Sequence, residues 1–229
     1  MRNTVKKTYF VTGTDTGSGK TWSSVAFMQA LKKSGYKTCG MKPVATGGKR
    51  EGTNLFSEDA ILLSKHASIS LPYEYVNPIC LESAASPNIA LDIERRQFSQ
   101  EQILQTYNKI LGMADRVVVE GIGGWRTPCS SSLSLASMVK EMEASVILVV
   151  GLRLGCINHA HLTLESIISD GVKFSGWIAN TIDPSYSYKA KTLEYLKANI
   201  KAPLLGLIPH IRQDIPEDLG EYIQPPTKF

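Results

Sequence analysis

Nine residues near the N-terminus, Gly13-Thr14-Asp15-Thr16-Gly17-Ser18-Gly19-Lys20-Thr21, restrict the fold more than any other stretch of this chain. A β-type run, Tyr9-Phe10-Val11, precedes them, and a helical stretch carrying Val25, Ala26, Met28, Ala30 and Leu31 follows. Strand, glycine-rich turn and helix N-terminus in that order aim backbone N–H groups and a positive dipole end at an anion, which is how nucleotide phosphates are held. In this reading Thr16, Gly17, Ser18 and Gly19 belong to the cradle, Lys20 meets the phosphates and Thr21 a magnesium ion. The strict spacing would put glycine at Thr14, whereas Gly13 stands one residue earlier, so the loop is a variant. A Gly/Ser turn that happens to precede a helix is the competing reading.

Apolar, β-branched runs at 9–12, 37–44, 116–120, 146–150, 174–179 and 204–208 alternate with helix-like stretches near 20–34, 57–66, 99–113, 132–143, 158–169 and 186–199. Runs that are apolar at nearly every position, such as Val117-Val118-Val119, are covered on both faces. The fold class is therefore α/β, a doubly wound, mostly parallel sheet flanked by helices. With 229 residues and no linker, repeat or charge block, residues 1–229 read as one domain. A dispersed net charge of +4 implies neither nucleic acid nor a membrane surface as partner. The longest apolar run, 146–152, is far short of the roughly 18 to 20 residues that cross a bilayer. No apolar leader follows the basic N-terminal residues, and Cys39, Cys80, Cys129 and Cys156 are dispersed; the expected setting is the reducing cytoplasm.

Ligands of wound sheets sit beyond the carboxyl ends of the strands, so the residues closing each run become site candidates. Glu120 closes the valine run and is placed to reach a metal, with Asp59 a second candidate; either could instead be a surface or helix-start carboxylate. Two acids beside a triphosphate would repel it, and Mg²⁺ held by Thr21, Asp59 and Glu120 would remove that conflict. Lys42, followed by Pro43, could stabilise charge on a transferring phosphoryl group together with Lys20, or could be a surface lysine at a strand end. Thr46, Gly47 and Gly48 read as a site loop or a plain turn. Asn158 looks like a helix N-cap, and the N–H groups behind it could bind a carboxylate or merely begin a helix.

Taken together, the chain resembles the dethiobiotin synthetases nearly end to end. The carriers are Tyr-Phe-Val-Thr-Gly-Thr-Asp-Thr at 9–16 with Gly-Lys-Thr at 19–21, Gly-Met-Lys-Pro-Val-Ala-Thr-Gly at 40–47, Val-Asn-Pro at 76–78 and Ser-Pro at 86–87. Val-Glu-Gly-Ile-Gly-Gly-Trp at 119–125, Leu-Gly-Cys-Ile-Asn-His-Ala at 154–160, Gly-Trp-Ile-Ala-Asn at 176–180 and Pro-Leu-Leu-Gly-Leu-Ile-Pro at 203–209 complete them. The resemblance implies a P-loop NTPase type of fold and an ATP-driven cyclo-ligase. In that reaction 7,8-diaminopelargonate takes up CO₂ as a carbamate, ATP phosphorylates it, and the second amine closes a cyclic urea with loss of phosphate. It further implies that Lys20 and Lys42 act on the phosphoryl group, that Thr21, Asp59 and Glu120 hold Mg²⁺, and that Thr46 contacts the diamine or its carbamate. Asn180, Thr181, Pro209, His210 and Ile211 match the adenine region, and Gly121, Ile122 and Gly123 line the nucleotide site. The family's homodimer implies that Cys156, Ile157 and Asn158 of one subunit meet the diamine carboxylate of the other.

Some positions depart from the family pattern. Gly17 stands where some members carry glutamate, Ser18 replaces a common valine, and Ser131 replaces an acidic residue after Thr127-Pro128. No equivalent of an interface tyrosine stands out among Tyr186, Tyr188 and Tyr195. A partitioning or positioning ATPase, a switch protein built on a similar loop, is the rival; it would carry a second lysine five residues before Lys20, where this chain has Asp15.

Overall fold

The structure, a computed structural model, describes residues 7–130, 133–211 and 218–226; Ser131 and the last three residues lie outside that set. In chain order the first half runs β1 (Lys7–Gly13), α1 (Lys20–Lys33), β2 (Thr38–Met41), β3 (Val44–Ala45), β4 (Lys49–Glu51), β5 (Asn54–Phe56), α2 (Glu58–His66), α3 (Tyr73–Val76), β6 (Ile79–Cys80) and α4 (Pro87–Ile93). The second half runs α5 (Gln100–Leu111), β7 (Arg116–Gly124), β8 (Ser145–Gly151), α6 (Cys156–Ser169), β9 (Phe174–Asn180), α7 (Lys189–Asn199) and β10 (Leu204–Ile208). Among the described residues the main sheet is six-stranded and parallel, in the order β10-β9-β8-β1-β7-β2.

The valine-rich strands show why the sheet is covered twice. Successive side chains of a strand point to opposite faces, and along β7 Val117 and Val119 pack into one core cluster while Val118 packs into another. Phe10 and Val11 divide in the same way, and all five residues are buried. Fully burying such a side chain is worth about 1.5 to 3 kcal/mol, so both faces hold the register. Tyr9 meets Phe27 of α1 edge-on at 4.8 Å, which fixes the helix over the strand that feeds it.

Three sequence expectations change. The run at 37–44 is not one strand: β2 stops at Met41, Pro43 has no N–H for a ladder, and β3 leaves the main sheet to pair with β6. The helix expected at 132–143 is a short 3₁₀ turn, Leu135–Met138, whose neighbours Val139 and Met142 are buried without helical continuation; its first residue, Ser132, lies outside the described residues. Asn158 is not an N-cap. Gly155 caps α6 in the left-handed conformation (φ 90°), and Asn158 is already inside the helix. Short elements that pattern reading passed over are α3, α4 and the exposed β4–β5 hairpin. Among the described residues no helix is long and apolar enough to cross a membrane, and the four cysteines are buried free thiols.

Candidate active site

A cleft of about 860 Å³ opens where β1, β2 and β7 end, lined by Thr16, Gly17, Gly19, Lys20 and Thr21 from the loop and by Lys42, Thr46, Asp59, Glu120, Ile122 and Gly123. Strand register builds its floor. Met41 of β2 pairs with Val119 of β7, so the next residues, Lys42 and Glu120, emerge side by side. Lys42 Nζ donates to Glu120 Oε1 at 2.7 Å and to the Gly121 carbonyl at 3.1 Å, and pairs with Asp59 Oδ2 at 2.8 Å. The Thr21 hydroxyl lies 2.8 Å from Asp59 Oδ1 and 3.0 Å from Glu120 Oε1. Lys42 is 3% and Glu120 0% exposed, so each is buried against the other, and removing either would leave its partner without the contact that makes its burial tolerable.

Electrostatics follow from this packing. Burial pulls the Lys42 pKa down, but the adjoining Glu120 and Asp59 carboxylates and their hydrogen bonds reverse the shift and hold it above the ordinary lysine value. Burial pushes Asp59 up, and Lys42, then Thr21 and Lys20, bring it below the usual carboxylate range. Among the described residues Lys20 has no carboxylate in contact: its Nζ donates to the Asp15 carbonyl at 3.0 Å. Burial, with Lys42 nearby, lowers its pKa to about 8.

The loop's glycines are required by geometry at two places. Gly19 has φ 84°, and a Cβ there would lie 1.6 Å from Asn180 Nδ2, the atom that donates to the Ser18 carbonyl at 3.2 Å. A Cβ at Gly13 would lie 2.2 Å from the buried Ser18 Oγ. Asp15 accepts from the Thr16 N–H and pairs with Arg153 at 2.6 Å, so the position where the rival switch ATPases carry a lysine is an acid engaged with the chain segment before α6.

The remaining expected residues fall in two outlying places. Asn180, Thr181, Pro209, His210 and Ile211 gather at the ends of β9 and β10 behind the phosphate loop, tied by Thr181 N–H to the Ile208 carbonyl (2.9 Å) and by His210 Nδ1 to the Thr181 carbonyl (3.2 Å). Cys156, Ile157 and Asn158 begin α6 away from the cleft; Cys156 is buried and Asn158 exposed. Gly121 touches Lys42 through its carbonyl. Residues not singled out from sequence also line the cleft: Trp22, Leu62, Ala84 and Ala85. Ser86-Pro87 carried a signal, because a serine before a proline starts a helix with a missing N–H already tolerated; the others are brought in only by tertiary contacts.

Two carboxylates and a hydroxyl are a hard, all-oxygen donor set, and Glu120 Oε2 is buried with no hydrogen-bond partner among the described residues. Such a set suits Mg²⁺, which keeps several waters and bridges phosphates. Among the described residues no group of three or more His, Cys, Asp or Glu is placed to hold a metal.

Comparison with known proteins agrees with this geometry. A family model described as an AAA domain matches residues 7–217. The ATP-dependent dethiobiotin synthetase BioD of Vibrio parahaemolyticus is 42% identical over 215 residues, 94% of this chain and 94% of its own. That of Buchnera aphidicola is 41% identical over 206 residues, 90% of this chain and 92% of its own. Among solved structures, the MinC:MinD cell division protein complex of Aquifex aeolicus superposes with a TM-score of 0.55 at 18% identity, covering 90% of this chain and 83% of that one, a likeness of P-loop NTPase fold alone. Identity at that level across nearly the whole length, on a phosphate loop facing a buried lysine, has one reading: the chain belongs to the ATP-dependent dethiobiotin synthetase family.

Proposed function

We propose that this protein makes dethiobiotin from 7,8-diaminopelargonate, CO₂ and ATP, with ADP and phosphate as the other products. The observation that carries the reading is the pair of lysines at one cleft, Lys20 on the phosphate loop and Lys42 against Glu120 and Asp59. An amine must be neutral to attack CO₂, and a cationic site lowers its pKa in that direction. The carbamate oxygen then takes the γ-phosphoryl group of ATP. Phosphoryl transfer needs positioning and fixed positive charge more than covalent help. Backbone N–H groups of Thr16 to Thr21 hold the phosphates, Lys20 and Lys42 offset the charge spread over the transferring group, and the burial of Lys42 keeps water from screening it. The second amine attacks the mixed anhydride, closing the ring and expelling phosphate.

A magnesium ion held by Thr21, Asp59 and Glu120 would supply charge neutralisation between the two acids and the triphosphate. Thr46 lines the cleft where the diamine or its carbamate would sit. We assign adenine to Asn180, Thr181, Pro209, His210 and Ile211, and the nucleotide wall to Gly121, Ile122 and Gly123. We further place the protein in the cytoplasm as a single-domain subunit of a homodimer, with Cys156, Ile157 and Asn158 receiving the diamine carboxylate of the neighbour. Exposed apolar side chains just before that helix and along it, Leu154 at 86% and Leu162 at 57%, support a covered surface there.

The test is phosphate release with Mg²⁺, ATP and bicarbonate, with and without the diamine. Release that depends on the diamine is expected. Equal release without it would replace this reading with a switch ATPase.

A further inference from the structure

The residue that ends the α6 segment breaks a local rule. Helix C-termini favour cations, because the final carbonyls carry the negative end of the dipole, yet Asp170 caps α6 and no basic residue lies in its last turn. The compensation comes from elsewhere in the chain. Asp170 Oδ2 accepts the indole N–H of Trp125 at 2.7 Å, and Oδ1 accepts from Arg126 Nη2 at 2.8 Å. Such bonds to an ionised acceptor are about twice as strong as neutral ones.

Trp125 and Arg126 are the middle of a tight turn. Thr127 N–H donates to the Gly124 carbonyl at 3.2 Å, and Gly124 N–H donates to Thr127 Oγ1 at 2.9 Å. The turn follows the stretch that carries Glu120 and the Gly121 carbonyl, both bonded to Lys42, and Ile122, Gly123 and Thr127 line the cleft. Trp125 is 4% exposed and meets Phe10 of β1 edge-on at 6.0 Å, so its ring is fixed on one side by the core and on the other by Asp170.

We infer that Asp170 is a positioning residue for phosphoryl transfer, clasping Trp125 and Arg126 so that the 121–127 wall holds Lys42 at its working place. It touches no reacting group. Its effect passes through the turn to the Gly121 carbonyl, and an ångström of drift there is enough to slow transfer by up to about a hundredfold. The inference rests on the carbamate-phosphorylation reading above.

The experiment measures diamine-dependent phosphate release and thermal midpoints for the full chain and for Asp170→Ala, Asp170→Asn, Trp125→Phe and Arg126→Gln. Asp170→Ala is expected to lower kcat and kcat/KM for ATP together by roughly tenfold, the signature of weakened transition-state stabilisation with ground-state binding intact. Asp170→Asn, which keeps one acceptor oxygen but loses the charge and turns an amide N–H toward the second donor, is expected to recover only part of that loss. Trp125→Phe and Arg126→Gln are each expected to reproduce part of it. A lowered midpoint with kcat within about twofold of the parent overturns the inference, as does parental kcat in both Trp125→Phe and Arg126→Gln, whether or not Asp170→Ala folds. A parent chain without diamine-dependent release would instead sink the functional reading itself.

Discussion

The cleft carries lysine–carboxylate pairs on its floor, and a hairpin at its lip, where Glu58 lines it, carries lysine– and arginine–carboxylate pairs of its own; the two sets differ in how much water reaches them. On the floor, Lys42 lies against Glu120 and Asp59 with 3% of the lysine exposed and none of Glu120. At the lip, the β4–β5 hairpin offers Lys49 to Glu58 and Arg50 to Glu82, with at least half of each side chain in water. The lip pairs even have the better geometry: Arg50 grips Glu82 through Nε and Nη2 at 2.7 to 3.0 Å. Proximity therefore does not decide what a pair does. Two unit charges interact about four times more strongly at an effective dielectric of 20 than in water, and salt screens the exposed ones further. Exclusion of water makes a lysine into a fixed charge for a reaction.

The sharpest way to break this contrast is Lys42→Ala. Loss of turnover by roughly a thousandfold or more is expected in steady-state phosphate release, on the scale of a deleted charge in phosphoryl transfer. Because Glu120 is left buried without its cation, the ligand-free protein should also lose about 3 to 5 kcal/mol in urea unfolding. Activity within about tenfold of the parent would remove Lys42 from the mechanism.

Thr46→Val tests the substrate role proposed for that wall of the same cleft. Losing one hydrogen bond of about 0.5 to 1.5 kcal/mol should raise KM for the diamine by up to about tenfold with little change in KM for ATP; an effect on ATP instead would move Thr46 to the nucleotide.

Lys20 gives a pH signature of comparable size. Its pKa in the free fold is about 8, and phosphate beside it raises that value. The ATP complex therefore holds more protons above pH 8, and ATP affinity should fall about tenfold between pH 7 and pH 9. Calorimetry in two buffers of different ionisation enthalpy should show proton uptake near pH 8.5. The same depression means the buried charge opposes folding below about pH 8, an effect that fades as pH rises toward the unfolded value near 10.4. Proton release on binding would contradict this sign.

The smallest effect belongs to the lip. Lys49→Ala and Arg50→Ala should leave the urea midpoint and kcat at the parental values in low and high salt. A change in kcat from either would show that the hairpin works in catalysis and that exposure alone does not disqualify a pair.

Much of the site was legible because it is built from local pattern. The loop from Gly13 to Thr21 declares itself by small residues between an apolar strand and a helix, and Glu120 by closing an uninterrupted valine run. Parallel pairing then makes neighbours of strand ends that lie 78 residues apart, as with Lys42 and Glu120. Less legible were the turns. Pro43 cut a run that looked continuous, and Gly155, not Asn158, began α6 because a left-handed backbone suits glycine. Trp22, Leu62 and Ala84 reach the cleft from a helix face or a loop, where no periodicity marks them.

The amino-acid sequence by itself determined the wound sheet and the identity of the phosphate loop, since both follow from which residues can be buried and which backbones can bend. Only the tertiary structure decided the protonation chemistry. Whether Lys20 is held near pKa 8 while Lys42 is held above its ordinary value depends on which carboxylates the register sets beside each and how much water remains. Charge energies depend on distance and dielectric in three dimensions, and spacing along the chain carries neither.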